Sequence, residues 1–593
     1  MRFKKVMLIC SSVFVFACNE QGSSTGTPGR KNEGLSTLLN NYWEERMKLF
    51  PLEATANGDN RYNDRMTITI SDSFRDTLKH FYSGNLAALD KIDSAALNKD
   101  EKLSYRLFRY EMEMGLKGLS FPSHLSPVNQ FWGLTLDLPQ LGSGTGNQPF
   151  KNVTDYDNWL KRVAAFPAWT DVAIANMRKG MENGWILPRV LVLKVLPQLK
   201  AMLVSPEAST FYGPVKSMPD SFSTADKERL KKAYVDMITN TVTPAYKKLY
   251  DFMNTEYLAK ARTSTGISGI SQGREYYNYL VENWTTTQLT PDSIYNLGQA
   301  EVARIETEMN RIKDESGFKG DLHAFFEYLN KDPKFFPFVN EKQVIDSFWA
   351  IKKAEDPQLK QLFNHVPKSP FTIRQTEAFR AASASAEYNP PSADGSRPGI
   401  FYTPILDPKK FNAVGMETLF LHEAIPGHHY QISLQQENKN LPEFRKFLWY
   451  GAYGEGWALY SESLGKELGL FKNPYQYFGH LSDAMHRAIR LVVDAGMHTK
   501  GMTREQAIDF MVTHERITKE EATAEIERYM AIPAQALSYK IGQLTIRAER
   551  TKYEQLLGHK FKLAAFHDEV LKNGCVPLNI LAENMAVWAK TQQ

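Results

Sequence analysis

The sequence predicts a large, mainly α-helical protein with one small β-sheet, and three observations carry this prediction. Apolar residues recur at intervals of three and four over long segments of the 593-residue chain, which is the pattern of amphipathic helices. Short β-favouring runs are concentrated in one region, between Phe371 and Thr403. No Gly/Ser-rich or Pro-rich linker interrupts the chain after residue 35, so we expect one large body that could have two lobes.

The composition is that of a globular protein and argues against several classes of function. Hydrophobic residues make up 42% of the chain and charged residues 23%, far from the profile of a disordered or fibrous protein. The net charge of +4 is spread without a dense basic block, so we expect no nucleic-acid partner. Small-molecule or peptide substrates fit this composition better. The sequence does not indicate an oligomeric state.

The N-terminus has the features of a bacterial lipoprotein signal. Three basic residues among the first five precede an apolar run over residues 6–17, which is too short to span a bilayer stably. The run ends in Val-Phe-Ala-Cys, where Cys18 would become the lipid-bearing first residue; the alternative is a plain signal peptide with an incidental cysteine. We expect a signal peptide over 1–18, a flexible tether over 19–35 and a helical body over 36–593. The protein would then be a periplasmic or outer-membrane lipoprotein of the bacterial cell envelope, attached to the membrane only through lipid on Cys18.

Cys575 is the only cysteine in the predicted mature body, because Cys10 and Cys18 lie in the signal region. No intramolecular disulfide is therefore expected in that body, and its stability must come from packing. A lone cysteine without catalytic-looking surroundings is more often an inert core residue than a nucleophile. We expect Cys575 to be such a core residue.

The first half of the body is predicted to be helical and carries no catalytic motif. The segment Thr290-Pro291-Asp292-Ser293 is typical of a helix start with proline at the first helical position. We find no internal repeat of fixed period. The strongest helical periodicity covers residues 155–183, 187–203, 225–252, 291–313 and 341–354.

The pattern changes in the second half of the chain. The runs 371–374 and 399–403 favour β-structure, and a Pro/Gly/Ser-rich loop over 389–398 precedes the second run. These runs predict a small antiparallel sheet, and the helical pattern returns after Asn412. Nine of the 13 histidines lie after Leu421, which concentrates potential metal ligands there. We place the catalytic region at about 371–593.

The strongest chemical signal is the segment His-Glu-Ala-Ile-Pro-Gly-His, residues 422–428. Thermolysin-like zinc sites use H-E-x-x-H, because two histidines four residues apart share a helix face and the glutamate holds the attacking water. Here Pro426 takes the place of the second histidine, and the next histidines are His428 and His429. An uninterrupted helix would rotate His428 by about 600° from His422, well off its face.

Two explanations of this spacing remain open. Pro426 cannot donate a hydrogen bond to the carbonyl of His422 and its ring collides with that carbonyl, so the helix is expected to bulge at residues 426–427 and to bring His428 into the ligand position. His429 is the alternative, since seven residues return to nearly the same face about 10.5 Å further along the axis. Spacing alone does not choose between His428 and His429.

A third zinc ligand is provided by Glu455. Glu455 and Glu462 are seven residues apart and hence share one face of a helix. Their segment resembles the E-G-x-A-x-Y-x-E stretch of gluzincin aminopeptidases, in which the first glutamate binds zinc. Glu462 would then orient a histidine ligand. Without the upstream motif, a solvated helix face would be the better interpretation of this pair.

Four blocks together resemble a bacterial family called domain of unknown function 885. They read H-E-A-I-P-G-H-H-Y-Q, E-G-W-A-L-Y-S-E, R-L-V-V-D-A-G-M-H and P-A-Q-A-L-S-Y-K-I-G, within about residues 401–547. Members are assigned to the gluzincin metallopeptidases, so the resemblance implies a zinc peptidase over most of the mature chain. The histidine directly after P-G is the regular one in that family, which favours His428 over His429.

A polar stripe and two further residues could belong to the site. The stripe recurs every four residues on an otherwise apolar helix and could line the cleft; the alternative is an ordinary Arg490–Asp494 pair with two interfacial histidines. The resemblance makes Tyr539 a candidate donor to the oxyanion, although a helical tyrosine is usually a core residue. Arg547 could bind a substrate carboxylate or could simply be solvated. The stripe consists of His486, Arg490, Asp494 and His498.

These observations lead to one mechanistic hypothesis. One zinc ion held by His422, His428 and Glu455 would lower the pKa of a water molecule, while Glu423 would take its proton and pass it to the leaving amine of a peptide. One alternative is a zinc hydrolase that acts on non-peptide amides or esters. Another is a non-catalytic surface lipoprotein that binds a partner through a degenerate site. The sequence does not distinguish endopeptidase from exopeptidase action.

Overall fold

The computed structural model describes residues 31–376, 381, 385–392, 395 and 397–593. The predicted signal peptide, Cys18 and most of the predicted tether lie outside the described residues. The first helix begins at Glu33, where the side chain of Asn32 accepts a hydrogen bond from the N–H of Leu35 at 2.9 Å. The first helix therefore includes residues 33–35, which the sequence analysis assigned to the tether.

The N-terminal half is helical, as predicted. Residues 155–183 lie in two helices instead of one, because Pro167 has no N–H to donate to the carbonyl of Val163 and the chain turns at residues 164–165. The helices are α1 Glu33–Leu49, α2 Pro51–Ala56, α3 Asp72–Leu89, α4 Lys99–Leu119, α5 Leu134–Gly142, α6 Val153–Val163, α7 Phe166–Asn183, α8 Arg189–Ala201, α9 Gly213–Lys216, α10 Thr224–Met237, α11 Thr243–Phe252 and α12 Leu258–Lys260, with π-helical segments at Ile238–Val242 and Met253–Tyr257.

Four more helices lead to the sheet. The predicted helix start at Pro291 is confirmed: Pro291 is the first helical residue, and the hydroxyl of Thr290 accepts a hydrogen bond from the N–H of Ser293 at 3.2 Å. The helices are α13 Gly273–Thr285, α14 Pro291–Glu315, α15 Leu322–Lys331 and α16 Glu341–Leu362. Single 3₁₀ turns occur at Asn60–Tyr62, Ser94–Ala96, Ser123–Leu125, Pro206–Ala208, Thr210–Tyr212, Ile267–Gly269, Pro333–Phe335, Pro408–Lys410 and Gly558–Lys560.

The small sheet is mixed, with the strand order β1-β3-β2. Its strands are β1 Phe371–Gln375, β2 Glu387–Asn389 and β3 Gly399–Thr403. The two predicted strands, β1 and β3, pair in parallel, so the antiparallel arrangement expected for them is wrong. Strand β2, which was not predicted, pairs with β3 in antiparallel fashion. The chain reverses direction twice between β1 and β3, and β1 then pairs with β3 instead of with β2. The central strand β3 is buried along its whole length, whereas β2 is an edge strand.

The C-terminal part is helical again and carries the sequence motifs. The largest hydrophobic core joins side chains of the N-terminal helices, such as Tyr42 and Phe108, to side chains beside the motifs, such as Phe420 and Trp457. Residues 128–257 contain a second core of their own. The helices are α17 Met416–Glu423, α18 His428–Glu437, α19 Glu443–Lys446, α20 Gly451–Glu462, α21 Pro474–Thr499, α22 Arg504–His514, α23 Lys519–Ala531, α24 Leu537–Leu557, α25 Leu563–Leu571 and α26 Leu578–Gln592.

Candidate metal centre

The H-E-x-x-P-G-H segment forms a break between two helices. Helix α17 ends at Glu423, the Ile425–Pro426 peptide bond is cis, and α18 begins at His428. Helix α20 stabilises this break: the carbonyl of Pro426 accepts a hydrogen bond from the indole N–H of Trp457 at 2.8 Å. The expected bulge within one helix is therefore wrong in form, although His428 does return to the side of His422.

Gly427 is required by the close approach of the chain to itself at this break. A Cβ atom on Gly427 would lie 1.9 Å from the carbonyl oxygen of His422 and 2.3 Å from that of Leu421, both of which are backbone atoms. No larger residue fits without displacing the end of α17. The Pro-Gly pair thus allows two histidines that are separated by five residues to meet at one point.

Three side chains meet at this point. The Nε2 atoms of His422 and His428 lie 3.6 Å and 3.4 Å from Oε2 of Glu455, and the candidate ligand atoms of all three residues lie within 4.8 Å of one another. Ligand atoms placed about 2.1 Å from a tetrahedral zinc ion are about 3.4 Å apart, so this spacing suits such an ion. Two imidazoles and one carboxylate, with a fourth position left for water, form the donor set of many catalytic zinc sites. The residues therefore fit zinc.

His429 points away from this cluster and into the sheet. Its Nδ1 atom lies 2.8 Å from the hydroxyl of Tyr388 on β2, and its ring packs 4.7 Å from the ring of Phe371 on β1. Burial lowers the pKa of His429 to about 4, which keeps the ring neutral. Of the two histidines that spacing alone left open, His428 is the one that joins His422 and Glu455.

Glu462 orients the first histidine. Its Oε1 atom lies 2.8 Å from Nδ1 of His422, an arrangement in which Nδ1–H donates and the Nε2 lone pair is left free toward Glu455. Helix α20 thus supplies both carboxylates, and the seven-residue spacing puts them on one face as expected. The Nδ1 atom of His428 is buried and has no hydrogen-bond partner among the described residues.

The charges of the cluster depend on its burial and on the pairing of its members. Burial disfavours the imidazolium of His422, but the carboxylates of Glu455 and Glu462 outweigh this and raise its pKa to about 10. Burial also opposes ionisation of Glu455, yet His428 and His422 hold the pKa of its carboxyl below its usual range. A cation at this point would face a carboxylate that is already ionised.

Glu423 is the last residue of α17 and lies beside the cluster. Burial raises the pKa of its carboxyl, an effect that the nearby His422 and His428 oppose. A carboxyl whose pKa is raised toward neutrality can accept a proton and release it again, which is the requirement for a general base that later acts as an acid. Its location allows the role that the motif predicts.

The cluster opens onto a cavity of about 840 Å³. Tyr539 on α24 lies in its wall together with Glu423, and the guanidinium of Arg490 lies 4.6 Å from the centre of the Tyr539 ring. The N-terminal half contributes Phe131 to the same wall. The structure therefore brings Tyr539 to the same cavity as the candidate metal ligands.

The polar stripe on α21 is divided between the cavity and the core. His486 and Arg490 line the cavity, whereas Asp494 and His498 are fully buried. Asp494 accepts hydrogen bonds from the Tyr277 hydroxyl at 2.5 Å and the Ala534 N–H at 3.1 Å, and burial raises its pKa to about 7. The Arg490–Asp494 ion pair considered from the spacing is not formed; Arg490 bonds to Tyr529 and Glu525 instead.

Arg547 and Cys575 lie outside the cavity wall. The guanidinium of Arg547 stacks on the ring of Tyr460 at 4.9 Å and donates a hydrogen bond to the hydroxyl of Ser463, so it has partners within the protein. It is not among the residues that line the cavity. Cys575 is buried, and burial raises the pKa of its thiol. The expectation of an inert core cysteine agrees with this position.

Two residues of the site were missed by the sequence analysis. Trp449 lines the cavity with its ring 5.8 Å from that of His428, and Arg487 lies in the cavity wall 3.9 Å from Glu462. The glycine at position 454 is the sequence feature that could have pointed to Trp449, since a Cβ on Gly454 would lie 2.1 Å from the Trp449 ring. Arg487 lies one residue after His486, outside the four-residue stripe, and nothing in the local pattern singles it out.

The fold and site define a mainly α-helical protein in which three helices meet at a cluster of two histidines and a glutamate suited to a metal ion. The chain belongs to the family of bacterial proteins of unknown function DUF885, which it matches over residues 51–585. The gluzincin assignment implied by the resemblance remains a prediction. No functionally curated protein matches the chain.

Two solved structures share the fold. A "putative lipoprotein" from Colwellia psychrerythraea is 29% identical, with a TM-score of 0.87 over 94% of this chain and 99% of that one. A "putative lipoprotein of unknown function" from Shewanella oneidensis is 21% identical, with a TM-score of 0.73 over 93% and 99% of the two chains, and this likeness concerns the fold alone. Among the described residues, no helix is long and apolar enough to cross a membrane.

Proposed function

We propose that this protein is a zinc-dependent metallopeptidase that hydrolyses short peptides in the bacterial cell envelope, where lipid on Cys18 anchors it. The observation that carries the proposal is the meeting of His422, His428 and Glu455 beside Glu423. Metal binding alone does not require the Glu423 carboxyl, whereas hydrolysis requires a base at such a position. A cavity of about 840 Å³ is of the size that accepts a small ligand or a short peptide.

The side chains divide the reaction between them. Zinc bound by the three ligands would polarise the scissile carbonyl and make a water molecule more acidic. Glu423 accepts the proton of that water as it attacks and later delivers the proton to the leaving amine. Tyr539 donates a hydrogen bond to the oxygen on which negative charge develops. Glu462 keeps His422 in the tautomer that leaves Nε2 free, at the 2.8 Å contact described above.

The substitution Glu423→Gln tests this division of roles. The amide has the shape of the carboxyl but cannot take a proton, so we expect peptide hydrolysis to fall by about a thousandfold or more while one zinc ion stays bound. The measurement combines a digest of a short-peptide library, read by mass spectrometry, with elemental analysis of the same protein. Full activity of the variant would exclude Glu423 as the base.

The same digest separates peptides from other carbonyl substrates. Wild-type protein is assayed against the peptide library and against a set of simple esters and non-peptide amides. We expect cleavage of peptides at a rate that depends on their sequence, because the cavity walls contact the residues beside the scissile bond. Cleavage of the esters and amides alone would make the protein a zinc hydrolase of another class.

A further inference from the structure

One wall of the cavity is rich in arginine. Helices α21 and α23 and the turn before α23 place four guanidinium groups there, on Arg487, Arg490, Arg516 and Arg528. Such a concentration in a largely buried wall is costly unless anions lie nearby. The mechanism proposed above uses none of these groups.

Arg490 is the most buried of the four, and its guanidinium is incompletely paired. Its side chain is only 6% exposed; Nε donates to the Tyr529 hydroxyl at 2.9 Å and Nη2 to Glu525 at 3.2 Å. Its Nη1 atom has no hydrogen-bond partner among the described residues. The ring of Tyr539 lies against the guanidinium and holds it in place.

The acidic groups of this wall are shared among its basic groups. Glu525 is shared, since it faces Arg490 at 3.2 Å, Arg528 at 3.4 Å and Nε2 of His486 at 3.5 Å. Asp483 pairs with Arg487 at 2.9 Å. Glu515 lies 3.0 Å from Nδ1 of His486, and Arg516 donates to the neutral Asn330. Glu462 also faces Arg487 at 3.9 Å, so four carboxylates face four arginines and one histidine on this wall, while Nη1 of Arg490 keeps no partner among the described residues.

The arginine-rich wall lies close to the candidate zinc ligands. Nη2 of Arg487 is 3.9 Å from Oε1 of Glu462, which in turn lies 2.8 Å from His422. Arg490 lines the same cavity as the candidate ligands and Glu423. A group bound at Arg490 would thus belong to a residue near the scissile bond.

We propose that Arg490, with Arg487 and Arg528, forms a subsite for a substrate carboxylate, and that the C-terminal carboxylate of a short peptide is the group it takes. Guanidinium groups bind carboxylates through charge-assisted hydrogen bonds. A C-terminal carboxylate always lies on the leaving-group side of the scissile bond. The enzyme would therefore cleave near the C-terminus of its substrate. The role of this subsite in substrate specificity rests on the proposed peptidase function. Binding of the carboxylate is tested separately, in an experiment that requires no turnover.

The test compares three pools of N-acetylated tetrapeptides on immobilised Glu423→Gln protein loaded with zinc. The first pool ends in a free carboxylate, the second is the same pool with C-terminal amides, and the third is amidated but ends in glutamate. Retained peptides are quantified by mass spectrometry. We expect the free acids to be retained about tenfold or more over the amides. Equal retention of acids and amides, or retention of neither, would overturn the subsite.

The third pool identifies the source of the carboxylate. Amides that end in glutamate should be retained no better than the other amides if the C-terminal carboxylate is the ligand. If they are retained as well as the free acids, the subsite takes a side-chain carboxylate and the assignment to the C-terminus is wrong. A preference for acids without peptide cleavage by wild-type protein would refute the peptidase function and leave the carboxylate subsite in place.

Two variants locate the subsite. In the background of Glu423→Gln, both Arg490→Gln and the less buried Arg528→Gln should remove most of the preference for free acids. Arg547→Gln is the matched control, because that guanidinium lies outside the cavity wall. It should leave the preference unchanged. Loss of the preference in Arg547→Gln alone would show that the carboxylate site does not lie on α21.

Discussion

His428 and His429 are adjacent in the chain but have different surroundings. His428 faces Glu455, whereas His429 is packed between Phe371 and Tyr388. We expect His428→Ala to abolish stoichiometric zinc binding. His429→Ala should keep the zinc and lower the free energy of unfolding by about 1–3 kcal/mol, because a buried ring and its hydrogen bond are lost. Elemental analysis and thermal unfolding of both variants check this contrast; zinc loss in His429→Ala alone would reverse the assignment.

The pairing of His422 predicts proton release when zinc binds. With a pKa raised to about 10, His422 carries a proton at neutral pH in the metal-free protein, and that proton must leave before Nε2 can bind a metal. The Glu455 carboxyl, whose pKa is lowered, is already ionised and releases none. Zinc affinity should therefore rise with pH below about 10. Calorimetric titration at pH 7 in buffers of different ionisation enthalpy should show release of about one proton, and zero release would contradict the pairing.

At the scale of residues, the sequence indicated the candidate ligands and part of the cavity wall, namely His486, Arg490 and Tyr539, but not the rest of the wall. His422, Glu423 and Glu455 are recognisable because their spacing reflects helix geometry and zinc chemistry. The choice between His428 and His429 needed either the family resemblance or the path of the chain through Pro426. Arg487 could not be found, because its position near Glu462 depends on how two helices distant in sequence pack together.

At the scale of elements, the break between α17 and α18 is the feature on which the site depends. Gly427→Ala would force a Cβ to within 1.9 Å of the His422 carbonyl oxygen, so the end of α17 must move. We expect this variant to lose stoichiometric zinc and several kcal/mol of stability. The control is Gly84→Ala in the middle of α3, where no atom lies within 4 Å of the added Cβ. That change should be neutral or stabilise by about 0.5–1 kcal/mol. Unaltered zinc content in Gly427→Ala would show that the break is not needed.

The helices were easier to predict than the break and the sheet. Long amphipathic segments such as α14 carry their own periodicity and cap, so the sequence defines them locally. The break at Pro426 is stabilised by Trp457, which lies 31 residues away in the chain, and its form could not be inferred locally. The pairing of β1 with β3 likewise depends on which strands become neighbours, and the pattern of apolar residues does not contain that information.

At the scale of the whole molecule, the two halves of the chain form one cavity. Phe131 from the N-terminal half lies 4.8 Å from the guanidinium of Arg528, and the side chain of the neighbouring Gln130 donates to the carbonyl of Glu527 at 2.9 Å. These contacts join a loop of the first half to α23 of the second. The N-terminal half thus contributes to the cavity wall through Phe131 and is fixed to α23 beside it.

The location of the protein can be tested through Cys18. If lipid on this residue is the only membrane anchor, Cys18→Ser should move the protein from the membrane fraction to the soluble fraction of the cell envelope. Fractionation with immunoblotting measures the shift, and Cys575→Ser serves as a control because that thiol is buried in the body. Retention of the Cys18→Ser protein in the membrane fraction would mean that another attachment exists.

The central claim is that peptide hydrolysis depends on one zinc ion at His422, His428 and Glu455. The most direct measurement is the zinc content and peptidase activity of one wild-type preparation, purified without chelator, then stripped with chelator and reloaded with zinc. We predict about one zinc per chain, loss of activity on stripping, and recovery in proportion to the zinc restored. Peptide hydrolysis that continues at full rate in metal-free protein, or a chain that binds no zinc, would contradict the claim.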